Sequence, residues 1–269
     1  MIHPETINLI SNFIEVMKTA ERVYRVEKSD NYLFQRQSLA YKKVASIIKG
    51  QVLELGTGEG YGISILSPYV EKLITIDKYK PSLKEGSFDN VEYRQSRFPP
   101  FQTIPDNSMD HVVSLLTIEH IRNDNFFVKE IKRVLKKGGK AVITTPNKKM
   151  TLVRNPWHYR EYTRDELYEL LHKHFDEVIS MGISGNNKVM DYYHKNNRSV
   201  KKLLKLDFLG LHKRLPGIFL RIPYDIMNRL NRKKLLEKNF DLTTGITQED
   251  YFFDEGSNTC FDLFFVVTK

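Results

Sequence analysis

The sequence predicts an α/β fold, a largely parallel sheet with helices on both faces, led by a helical segment and interrupted late by a basic one. Three observations carry this. From Gln51 to Met181, short β-branched runs alternate with helical stripes. The first of those runs passes straight into a glycine turn, VLELGTGEG, Val52 to Gly60, placed where open α/β sheets bind ligands. The charge is also uneven. Of a net +9, residues 186–240 supply 14 Lys and Arg against 4 Asp and Glu, an excess of 10 that leaves the rest of the chain at −1. That contrast marks a separate unit.

The elements follow in order. Ile10, Phe13, Ile14 and Met17 fall on one helical face, as do Ala40, Val44, Ile47 and Ile48, so residues 1–50 form an N-terminal helical segment stopped by Gly50. Gln51–Leu55 is the first strand. A helix follows the glycine turn and ends before Pro68. Lys72–Asp77, Val91–Gln95 and His111–Leu116 are the next strands. Phe127, Ile131, Val134 and Leu135 stripe a helix closed by Gly138-Gly139, and Lys140–Thr145 is a fifth strand halted by Pro146. Thr163 with Glu166 three residues on reads as a capping box opening a helix over 163–173. Glu177–Met181 is a sixth strand, and the apolar run Phe261–Val267 the last. The expected division is therefore 1–50, a core of 51–181 with 260–269, and an insertion over 182–259.

Composition narrows the class. With 269 residues, 41% apolar and 28% charged, the chain can bury a full core. It has no uncharged apolar run near the roughly 18 residues of a membrane span. Glu5 and the lack of a basic-then-apolar leader fit a cytoplasmic protein. Cys260 is the only cysteine, which rules out an internal disulfide or thiolate cluster, and no histidine pair has metalloprotease spacing, so no metal site is expected.

Glycines at alternate positions suit neither helix nor strand; they let something approach the backbone. Two ligands compete. A dinucleotide such as NAD wants G-x-G-x-x-G, whereas here the glycines stand at 56, 58 and 60. A pyrophosphate would also face Glu54 and Glu59, a like-charge approach. S-adenosylmethionine brings an ammonium and a sulfonium, which carboxylates favour. Asp77, ending the second strand, can accept from both hydroxyls of an adenosine ribose.

These stretches resemble the class I S-adenosylmethionine-dependent methyltransferases. VLELGTGEG is similar to their first motif and LITID to their second strand with its ribose-binding acid. FQTIPDNSMDHVVSLLTIEHI resembles the approach to the fourth strand and the Glu-His after it. EIKRVLKKGGKAVITTPN resembles the helix, turn and fifth strand. WHYREYTRDEL resembles the following segment of bacterial small-molecule, glycan or lipid methyltransferases, including relatives of ubiquinone-pathway O-methyltransferases. The likeness spans residues 36–181 and the last strand. It implies a Rossmann-like seven-stranded sheet of order 3-2-1-4-5-7-6 with the seventh strand antiparallel, and S-adenosylmethionine as cofactor. It places Glu54, Gly56, Thr57, Gly58, Gly60 and Asp77 around that cofactor. Where many relatives carry an acid that reads adenine, this chain has Gln95-Ser96-Arg97, leaving Ser96 as the candidate. Arg36 is the candidate for the methionine carboxylate; the alternative is a solvated helix-start arginine.

Methyl transfer from a sulfonium needs alignment above all, and a base for a hydroxyl acceptor. Glu119, His120 and His158 are the candidate bases, each with a structural alternative; Trp157 and Tyr159 line the same loop or merely pack. The stretch Asn155-Pro156-Trp157 is like the N-P-P-Y of base-amino methylases, but it stands after the fifth strand, not the fourth. The expected acceptor is a small molecule or a glycan- or lipid-linked group, methylated at oxygen. The rival reading is a non-catalytic module of this fold that binds an anionic membrane or nucleic acid. Because the sixth strand ends and the seventh begins on the ligand face, the insertion should form a lid, apolar beneath and basic outside. Such a lid would dock an anionic acceptor or hold the protein at the inner face of a membrane. No aromatic-and-basic nucleic-acid signature accompanies it, so nucleic acid is not favoured.

Overall fold

Strand-forming runs appear where β-branched and aromatic residues cluster: Gln51–Leu55 (β1), Lys72–Asp77 (β2), Val91–Gln95 (β3), Met109–Leu115 (β4), Leu135–Pro146 (β5), Glu177–Gly185 (β6), Tyr251–Asp254 (β7) and Asp262–Thr268 (β8). The computed structural model describes residues 21–79, 81, 88–205, 207, 210–255 and 257–269. The expected stripe Ile10–Met17 lies outside them. The strands form one sheet, β3-β2-β1-β4-β5-β8-β6-β7. β3 to β5 run parallel, and β8 enters antiparallel between β5 and β6. This is the expected order with one addition. The edge strand β7 pairs with β6, and at four residues it left no periodic signal in the sequence.

Alternate side chains serve two cores. Leu53, Val112, Ile143 and Phe265 face one layer, built with Asp124–Val134 (α3) and Arg164–His172 (α4); Val52, Val113, Val142 and Phe264 face the other, built with Asn31–Ala45 (α1), Tyr61–Leu66 (α2) and Asn187–Leu204 (α5). The Thr163 capping box forms in both halves. The expected stop at Gly138-Gly139 is displaced. α3 ends at Val134, and Leu135 is already extended. Gly138, at φ +75°, sits inside β5 opposite the register shift between Met109 and His111.

The segment after β6 continues through α5, Leu211–Arg214 (α6), Gly217–Lys238 (α7) and Phe240–Gly245 (α8). It leaves β6 at the carboxyl edge of the parallel strands. α7 meets the loop after β5 there, with Trp157 Nε1 donating to Asp225 Oδ1 at 3.1 Å. Its polarity reverses the expected one. Ile218, Phe219, Ile222, Ile226 and Leu230 are exposed, whereas Arg229 and Arg232 turn inward onto Asp30, at 2.7 and 3.0 Å. Asp30 has no exposed surface. A carboxylate so buried needs cations, and the arginines meet that need at the expense of the apolar side chains.

Candidate active site

Gly56, Gly58 and Gly60 have φ of +90°, +57° and +85°. Each is left-handed, which explains the alternate spacing. The reasons beneath the shared conformation differ. A side chain at Gly56 would collide with the Thr117 hydroxyl, whereas one at Gly58 would meet nothing within 4 Å. The loop is thus packed at its root and open at its tip. Asp77 pins it, with Oδ2 accepting from Gly58 N at 2.9 Å and Oδ1 from Tyr79 N at 2.9 Å. Ser96 N donates to Asp77 O, which puts exposed Ser96 at the same rim. Gly60 caps α2.

Both loop carboxylates are engaged by protein groups. Glu54 is buried under the loop, accepting from Tyr41 Oη at 3.0 Å and Thr75 Oγ1 at 2.6 Å, and burial pushes its pKa up to about 7. The Thr57 hydroxyl bonds Thr75 in the same buried group. Glu59 pairs with Arg22 at 2.7 Å. The like-charge argument against a pyrophosphate therefore loses its force, because neither carboxylate presents a free charge. Arg36 departs from the alternative reading of a solvated helix-start arginine. It is buried between the Tyr32 and Phe261 rings, with Nε 2.8 Å from Asp262 Oδ2. The cleft over the loop is lined by Gly56–Glu59, Gln37, Tyr41, Leu115, Thr144 and Asp262, together with Glu21–Val23. Nothing in the sequence marked that last segment as part of the site.

Beyond the cleft the structure brings all three candidate bases together. Residues 118–120 form a 3-10 turn after β4. Glu119 is 1% exposed, accepts from Thr145 Oγ1 at 2.9 Å, and burial pushes its pKa up to about 7 against the pull of His158 and Thr145. Its carbonyl accepts from Tyr159 N, which ties the turn to the loop after β5. His120 and His158 stand edge to face, centroids 4.9 Å apart. Burial lowers the pKa of His120. For His158 burial also works against the charge, but Glu161, Glu21 and Glu119 outweigh it and hold the ring protonated, pushed up to about 10. Glu21 is drawn down to about 2: burial opposes this, and the two histidines and Asn155 overcome it. Trp157 packs beneath Arg221, and Tyr159 is exposed.

A doubly wound sheet with a left-handed glycine loop pinned by an acid on the next strand defines a nucleoside-binding α/β protein. Residues 53–143 match the family described as "Methyltransferase domain". A probable S-adenosylmethionine-dependent methyltransferase of Mycobacterium tuberculosis is 30% identical over 192 residues, 68% of this chain and 69% of that protein. A second, from Mycolicibacterium smegmatis, is 33% identical over 161 residues, 57% of this chain and 62% of that protein's length. Among solved structures, the YcgJ protein of Bacillus subtilis covers 87% of this chain and 98% of its own at 17% identity, with a TM-score of 0.51, a likeness of fold. The chain belongs to the class I S-adenosylmethionine-dependent methyltransferases, and S-adenosylmethionine is its cofactor. The residues present fit that cofactor: the loop tip at Gly58 opens onto free space in a cleft walled by Tyr41 and Leu115.

Proposed function

We propose that this chain transfers a methyl group to a hydroxyl of a small-molecule, glycan-linked or lipid-linked acceptor, which enters beside Glu119, His120 and His158. The observation that carries the reading is the loop tip itself, left-handed, pinned by Asp77 and open above Gly58. Gly56, Gly58, Asp77 and Ser96 would hold the cofactor, which supplies an electrophilic methyl on a sulfonium. Glu119 is the base we favour, because a carboxyl raised to about 7 is partly ionised at neutral pH and, once ionised, holds the proton it takes more firmly than an ordinary carboxylate. His158, engaged by carboxylates on both nitrogens, is better suited to orienting than to accepting. Calorimetry with S-adenosylhomocysteine tests the cofactor half. Asp77→Ala should cost about 1.5–3 kcal/mol of affinity; an unchanged affinity overturns the assignment. Glu119→Gln should lower turnover by about 10²–10⁴-fold while binding persists.

The exposed face of α7 supports a second element of the reading, docking on an anionic lipid surface. Ile218 and Phe219 are 69% and 68% exposed, and Lys213, Arg214, Lys233 and Lys234 flank the stripe. Co-sedimentation with anionic vesicles should fall when Phe219 and Ile222 become Asp, and fall further in high salt. Equal binding to neutral vesicles would remove the charge from the account. Among the described residues no helix is long and apolar enough to cross a membrane.

A further inference from the structure

Three residues far apart in sequence converge at the rim of the cleft. Glu21 Oε2 lies 3.2 Å from His158 Nε2 and 3.5 Å from His120 Nε2. The three donor atoms all fall within 4.8 Å of one another. The far nitrogen of each ring is engaged: His120 Nδ1 lies 3.2 Å from the Trp157 carbonyl and His158 Nδ1 2.9 Å from Glu161 Oε1. A carbonyl and a carboxylate only accept, so each Nδ1 carries a proton and each Nε2 is the nitrogen aimed at Glu21; on His158 that nitrogen also carries a proton, which an entering cation would displace. Outer-shell oxygens that fix the tautomer in this way are the usual support of metal-binding histidines.

We propose that Glu21, His120 and His158 form a binding site for one divalent zinc-like ion, with a fourth position left open. Zinc–ligand bonds of about 2.0–2.1 Å in a tetrahedron set ligand-to-ligand edges of about 3.3–3.4 Å. The two measured Glu21 edges straddle that value without any movement. Two histidines and one carboxylate with an open position form the ligand set of catalytic rather than structural zinc. Access is suitably graded: the His158 side chain is 8% exposed, Glu21 22% and His120 32%. Glu21 also lines the cleft, so the ion would lie at its edge. Asn155 holds the place meanwhile. Its Nδ2 is 2.8 Å from Glu21 Oε1 and 2.9 Å from His158 Nε2, while its Oδ1 accepts from Trp157 N. That amide must swing off His158 when the ion enters. A metal holding an acceptor oxygen at the open position would rest on the methyl-transfer reading; the binding of the metal does not.

The test uses the full chain without a tag, stripped with chelator, and titrated calorimetrically with zinc chloride. One ion per chain should bind at micromolar or tighter affinity, and cobalt(II) in its place should give the visible absorption of a four-coordinate site. His120→Ala, His158→Ala and Glu21→Gln should each weaken binding at least about 100-fold. Glu161→Gln, which touches only the outer nitrogen of His158, should weaken it about 10–100-fold. Thermal unfolding monitored by circular dichroism separates lost ligands from lost fold. No stoichiometric uptake by the wild-type chain, or equal affinity in the folded variants, overturns the proposal. S-adenosylhomocysteine binding without zinc binding would sink the metal site alone and leave the methyltransferase reading standing.

Discussion

Single residues decide how the glycine loop is held. Glu54 is raised from an ordinary 4.5 to about 7 by burial, with Thr75 and Tyr41 only partly offsetting it. Below about pH 4.5 the carboxyl is protonated in folded and unfolded chains alike, and its contribution is intact. As pH rises toward 7 the unfolded chain ionises first, so stability is lost across that window, on the order of 3 kcal/mol when complete. Glu54→Gln stays neutral and should lack this loss. Urea titrations at pH 4.5, 6 and 8 check it, and parallel pH slopes in the two proteins would show that Glu54 ionises freely. Gly56→Ala and Gly58→Ala should separate as well. The first meets the Thr117 side chain and costs stability; the second meets open space, costs about 1–2 kcal/mol for its left-handed backbone, and lowers cofactor affinity tenfold or more. The glycine pattern was legible because only that residue tolerates three positive φ angles in five positions. The aim of Glu54 was not, because Tyr41 on the preceding helix and Thr75 on the next strand decide which way it faces.

Among elements, α7 shows how far periodicity reads. That the insertion carries an apolar face and a basic one was plain in the sequence. Which face turns inward depends on Asp30, a buried acid almost two hundred residues earlier, and no local pattern encodes it. Asp30→Ala should leave Arg229 and Arg232 facing each other without their anion and destabilise the protein by about 3–5 kcal/mol. Chemical denaturation measures this, and a loss below about 1 kcal/mol would mean that the arginines find solvent. The capping box of α4 is the opposite case. Thr163 and Glu166 are neighbours and need no tertiary information, so Thr163→Ala should cost only about 0.5–2 kcal/mol. The strand assignments succeeded on similar local grounds, as β-branched runs between glycine and proline breaks.

For the molecule as a whole, the size of the cleft bears on how the cofactor enters. The cleft holds about 100 Å³, under the roughly 300 Å³ at which small-molecule sites begin. Glu21–Val23 form part of its wall, where Arg22 pairs with Glu59 and lies over the Tyr79 ring. Arg22→Ala should therefore speed S-adenosylhomocysteine association in stopped-flow fluorescence, and an unaltered rate would show that the Arg22–Glu59 pair does not limit entry. The place of β8 bears on how the chain is made. Pro146, at the end of β5, pairs with Asp262, more than a hundred residues later. β6 reaches the sheet only through β8, because its other neighbour is the edge strand β7. During synthesis the first five strands can assemble, yet β5 keeps an unpaired, strongly apolar edge until β8 has left the ribosome. Throughout that interval the nascent chain carries the aggregation hazard of an open sheet, and a ribosome stalled before Asp262 leaves it there.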